Sequence, residues 1–123
     1  MKVCLVNEYF PPFAPGGAEW SVQALARALV SRGHHVILVT PNYGAAAHEV
    51  SEGVHVVRFR FPKKLAPGRT PVAPKWLANP LFYLYAALAL VRVARRERPD
   101  VLHVQNKHTL IPGVLAGRWL GIP

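Results

Sequence analysis

Gly16 and Gly17 stand directly ahead of a helical pattern in "PPFAPGGAEWSVQALARAL". Lacking side chains, they let backbone N–H groups come close to an anion, and the helix start adds partial positive charge. A phosphate or diphosphate is the natural guest of such a corner; a simple turn into the helix is the plain alternative. Four other chemistries are disfavoured by what is missing. A dinucleotide site wants G-x-G-x-x-G here and an acid after the second strand, but the chain has "APGGAE" and then Thr40, Pro41 and Asn42. There is no G-K-[ST], which excludes a Walker phosphate loop. No His, Cys, Asp and Glu set has metal-ligand spacing, and no Ser-His-Asp order stands out.

The elements that must hold this corner follow from hydrophobic patterning. "KVCLVN" (Lys2 to Asn7) and "HVILVT" (His35 to Thr40) are short, β-branched runs without strict alternation, as strands covered on both faces require. Between them Val22, Leu25, Ala26, Leu29 and Val30 fall at i, i+3, i+4, i+7 and i+8, one stripe of a helix. Arg32 suits its last turn and Gly33 its left-handed stop. "PNYGAAAHEVSEG" is expected to be loop. "VHVVRFRF" (Val54 to Phe61) mixes His55, Arg58 and Arg60 with apolar residues, predicting an edge strand with one partly wet face. "PKKLAPGRTPVAPKWLANP" is too rich in proline for regular helix or central strand. "LFYLYAALALVRVARRER" predicts a core helix, "PDVLHVQN" a strand, and "KHTLIPGVLAGRWLG" a helix closed by Gly121.

The order β-α-β-β-α-β-α over residues 1–123 predicts an α/β fold: a Rossmann-like, doubly wound parallel sheet in three α/β/α layers. Spatial order 3-2-1-4 puts the first and fourth strands at the topological switch, where ligands bind beyond the carboxyl ends. His103 lies inside the fourth strand and reads as a core or sheet-face residue. His108 lies at the ligand-binding edge. His34 and His35 flank a helix end, where a cation helps the dipole.

Bulk properties narrow the class. The 123 residues are 51 % hydrophobic, which excludes a disordered or fibrous chain. The single cysteine, Cys4, makes no disulfide framework and fits a reducing compartment. Met1 leads at once into "KVCLVN", leaving no room for a signal peptide, so a cytoplasmic location is expected. A formal charge of +9 favours acidic partners without choosing among them. Charge alone supports nucleic-acid binding, and no recognised module accompanies it.

In combination, "NEYFPPFAPGGAEWSVQALARALVSRGHHVILVTP" and "RPDVLHVQNKHTLIPGVLAGRWLGIP" resemble the start of the retaining glycosyltransferases of family 4, which have the GT-B architecture. The resemblance covers nearly the whole chain and is weakest between Ala45 and Asn79. It implies an incomplete GT-B N-terminal domain facing a second, nucleotide-sugar domain across a cleft. By position, Gly16 and Gly17 become the loop against the donor diphosphate. Asn106 and His108, with Glu8 and Tyr9, would line the acceptor side of the cleft. The nucleotide sugar is then a substrate, and neither cofactor nor metal is expected.

The family's histidine near the reaction centre follows a fifth strand, which lies beyond "GIP", and the nucleotide-sugar domain with its paired glutamates is also absent. Half a cleft cannot hold donor and acceptor in reacting geometry, so this chain alone is expected to be inactive. It would be either a fragment or one half of a split enzyme. The fourth strand should then be an open edge. A second function class is a non-catalytic, membrane-associated or partner-binding module. Its support is the basic "PKK…GR…PK" segment beside Trp76, Leu77, Leu81, Phe82, Tyr83 and Tyr85, suited to an anionic membrane surface at the cytoplasmic side.

Overall fold

A computed structural model describes residues 1–10, 17–61 and 75–123. Five strands form one sheet: β1 (Lys2–Val6), β2 (His35–Asn42), β3 (His48–Ser51), β4 (Val54–Arg60) and β5 (Val101–Val104). Three helices accompany them: α1 (Gly17–Ser31), α2 (Lys75–Glu97) and α3 (Lys107–Leu120). The sheet order is β3-β4-β2-β1-β5. The four strands expected from the sequence therefore lie in the expected order. β1 pairs in parallel with β2 from Lys2↔His35 to Val6↔Val39, and with β5 from Val3↔Val101 to Val6↔Val104.

Alternation along β1 divides the core. Val3 and Leu5 point to one face and pack with Val22 and Ala26 of α1, where Leu25, Leu29 and Val30 complete the predicted stripe. Cys4 and Val6 point to the other face and meet Leu90 and Val93 of α2 and Ala116 of α3. The layers are thus α1, sheet, and the α2–α3 pair. Burial pushes the Cys4 thiol up to about 12, which keeps it protonated and inert. α1 closes as its sequence suggests: Gly33 takes φ +86°, its N–H bonds to the Val30 carbonyl, and that of His34 to Leu29. Arg32 lies just beyond the helix rather than in its last turn.

Four expectations are corrected. The segment read as loop contains β3, which pairs antiparallel with β4 from His48↔Val57 to Ser51↔Val54. Glu52 and Gly53, both at positive φ (51° and 81°), make the tight turn between them. β4 is therefore flanked on both sides, and the sheet edge is β3. The charge on β4 that suggested a wet face is instead sequestered: the buried Arg58 guanidinium donates to Glu49 Oε1 at 2.6 Å and to the Ala46 carbonyl at 3.0 Å. α2 begins at Lys75, inside the proline-rich segment, and carries Pro80 within it. A proline deletes one intrahelical bond, and the residues on either side hold the helical backbone. β5 has β1 as its only strand neighbour among the described residues, but its other edge is not left open as expected: the Leu102 N–H donates to the Pro123 carbonyl at 2.8 Å.

Candidate functional site

The carboxyl ends of β1 and β5 are adjacent, and two helices, α1 and α3, start at that end of the sheet, on opposite faces. The switch between the strands is tied by side chains. Asn106 is the N-cap of α3: its Oδ1 accepts from the Thr109 N–H at 3.1 Å and from Thr109 Oγ1 at 2.8 Å. Its Nδ2 donates to Asn7 Oδ1 at 3.0 Å across the switch, and Asn7 Nδ2 donates to the Tyr9 carbonyl at 2.6 Å. Backbone bonds from Gln105 to Val6 and from Asn7 to Val39 continue the ladder past the strands. Asn106 thus spends both ends of its amide on positioning, and so serves first as a structural clamp.

Glu8 leaves β1 and is only 5 % exposed. Burial, then the nearby Glu19, push its carboxyl up to about 7, while Lys107 pulls the other way. Glu19 sits in the first turn of α1 and is also buried, where the helix start favours an acid. Tyr9 is half-buried and stacks on Tyr43 with centroids 5.6 Å apart. Burial and the neighbouring acids push the Tyr9 hydroxyl up to about 12. His108, half-buried in the first turn of α3, is shifted down by burial and by Lys107. The end of the sheet therefore presents one carboxyl poised near neutrality, a tyrosine pair, a lysine and a histidine held towards its neutral form. Such a set can exchange hydrogen bonds with hydroxyl groups and can take up or release a proton near pH 7 at Glu8.

The structure brings Glu8, Tyr9, Asn106 and His108 to one end of the fold. Gly17 is the first residue of α1, and Gly16 lies outside the described residues. So do the basic segment after Phe61 and the side chains of Trp76 and Leu77. Of the aromatics grouped with them, Phe82 is a core residue and Tyr83 packs against it. Sequence reasoning missed Asn7, Glu19, Tyr43 and Lys107. The acid of "GGAE" at the third position of a helix was the available signal for Glu19; Tyr43 had none in its loop-like context. Among the described residues no three metal-ligating side chains gather at one place.

A mainly parallel sheet in this order, switching between β1 and β5, is the fold of GT-B glycosyltransferase N-terminal domains. Residues 15–123 match the glycosyltransferase family 4 domain, and the chain belongs to that family. It is similar to an uncharacterized 42.6 kDa protein in the cps region of Klebsiella pneumoniae, at 27 % identity over 97 % of this chain and 32 % of the relative. It is also similar to a subunit of human phosphatidylinositol N-acetylglucosaminyltransferase, at 30 % identity over 83 % of this chain and 19 % of the human protein. Among solved structures, the glycosyltransferase VinC, crystallised with dTDP, superposes with a TM-score of 0.62 at 20 % identity, over 100 % of this chain and 33 % of VinC. The chain thus spans a third or less of each. Family and fold together place it among the glycosyltransferases.

Proposed function

We propose that this chain is the acceptor-side part of a retaining glycosyltransferase that moves a sugar from a nucleotide-sugar donor to a glycan, lipid-linked or small-molecule acceptor. The observation that carries the reading is the start of α1 at Gly17, beside the strand ends at the topological switch. The outward N–H groups and the dipole of a helix start suit a diphosphate, with Gly16 and Gly17 letting the backbone approach it. Glu8, Tyr9 and His108 then face the acceptor, and Asn106 holds the crevice in shape. The donor's nucleotide is gripped by a second domain, from the same polypeptide or a partner chain, and the present residues alone do not turn over. The reaction takes place in the cytoplasm, with the enzyme peripheral to the membrane and without a cofactor or metal.

The test is Gly17→Val in the full-length protein, assayed with a panel of sugar nucleotides. The valine side chain holds the diphosphate off the backbone N–H; loss of one such hydrogen bond at a developing negative charge reduces turnover about 100-fold, and the thermal midpoint should stay where it is. Unchanged kinetics would return Gly17 to a purely structural role and refute the reading.

A further inference from the structure

Apart from Met1, Trp20 and Val50, every large apolar side chain that the described residues expose lies on α2 or α3. These two helices pack side by side on one face of the sheet. On α2, Leu84, Leu88, Arg92 and Arg95 recur at i, i+4, i+8 and i+11, a single outward stripe. On α3 the exposed set is Lys107, Leu110, Ile111, Val114, Leu115, Arg118 and Trp119, with Trp119 75 % exposed. Such a concentration of exposed apolar surface marks a contact face in a soluble domain.

Charge identifies the occupant. The sequences of α2 and α3 hold one acid, Glu97, against Lys75, Arg92, Arg95, Arg96, Lys107 and Arg118. Beyond α2 the same face continues into a groove of about 600 Å³. Ile37, Val57 and Phe59 line it, together with Arg92, Arg96 and His48. Its acids are engaged, since Glu49 binds Arg58 and Glu97 lies 3.5 Å from Arg96. Arg92 has no ion pair among the described residues. A second copy laid on this face would bring arginine against arginine. A surface of phosphates above hydrocarbon matches both the cations and the apolar side chains.

We infer that the outer face of α2 and α3 seats the protein on a bilayer containing anionic lipid. Leu84, Leu88, Leu115 and Trp119 enter the headgroup–acyl boundary, while Arg92, Arg95 and Arg118 hold lipid phosphates. The chain lies on the membrane at this face; no helix among the described residues is long and apolar enough to cross one. The inference rests on the peripheral location proposed above and names its surface, which is not the proline-rich basic segment.

Co-sedimentation of the full-length protein with phosphatidylcholine vesicles, with and without phosphatidylglycerol, tests it. Each surface cation is worth about fivefold in partitioning, so Arg92→Glu/Arg95→Glu should bind anionic vesicles at least about 25-fold more weakly. Leu88→Ser/Leu115→Ser should also weaken binding while leaving its salt dependence. All four positions are exposed, so the thermal midpoint is expected to hold. No pelleting with anionic vesicles overturns the inference, as does equal pelleting of the variants. A Leu115→Cys thiol shielded from a water-soluble maleimide without vesicles also overturns it, because another segment or a second copy then covers the face. Sugar-nucleotide binding by the same variants reads the transferase proposal separately, and either can fail alone.

Discussion

Replacing Glu8 by glutamine removes a charge that the fold holds in a place hostile to it. In the unfolded chain this carboxyl ionises near 4.5, and in the folded protein near 7, because burial and Glu19 outweigh Lys107. Between those values the folded state keeps a proton that the unfolded state has released, so stability declines as pH rises. Above about 7 both states are ionised and the loss is complete. At about 1.4 kcal/mol per pH unit the difference amounts to roughly 3 kcal/mol. Relaxation of the surroundings around a buried charge reduces the cost and leaves about 1–2 kcal/mol. Glutamine keeps the shape and does not titrate. The variant should therefore match the parent near pH 4.5 and exceed it by that amount at pH 8.5. Urea denaturation of both proteins across this range, read by far-ultraviolet circular dichroism, measures the difference directly, and titrations common to both cancel. Parallel stability curves would show that the carboxyl is well solvated and that the burial argument is wrong.

Two further perturbations probe the clamp that shapes the crevice. Asn106→Ala removes the N-cap of α3 and strands Asn7 Oδ1, so a loss of about 2 kcal/mol is expected in chemical denaturation; a loss below a few tenths would mean that the cap is dispensable. Gly113→Ala places a Cβ into Cγ2 of Val104, where α3 packs against β5. Valine has little rotameric freedom to give way, and a drop of about 1–3 kcal/mol is expected from overpacking, measured the same way.

Much of the fold was legible because hydrophobic period reports burial. The runs at Lys2–Asn7 and His35–Thr40 are apolar on consecutive residues, which only a strand covered on both faces tolerates, and they are β1 and β2, two of the sheet's three inner strands. Val22, Leu25, Ala26, Leu29 and Val30 could form one stripe only on a helix, and they pack as one. The hairpin was hidden because Glu-Gly is not the usual turn signal and its strand, "HEVS", exposes polar side chains at the sheet edge. Arg58 misled for a related reason: a buried ion pair has the same composition as a solvated face, and only the partner's position distinguishes them. Glu8, Tyr9 and His108 were assigned to the site through the family resemblance, by their positions after strand ends, and the structure brings them to one end of the fold. The engagement of Asn106 depends on a contact with Asn7 99 residues away, and no local pattern encodes it.

Two buried acids beside a helix start are an awkward setting for an anion, and the proposed diphosphate site has to be reconciled with Glu8 and Glu19. Glu19 complements the dipole of α1 before any ligand arrives, so some of the positive character that would attract a phosphate is already answered. Glu8 resolves the conflict by its position near neutrality. An arriving diphosphate adds negative charge, which favours the protonated carboxyl. On the proposed reading Glu8 then faces the acceptor as a neutral carboxyl instead of a second anion near the diphosphate, and binding takes up a proton. On the proposed reading the acid that looks out of place is what lets one crevice carry a carboxylate in the free protein and accept a phosphate in the complex.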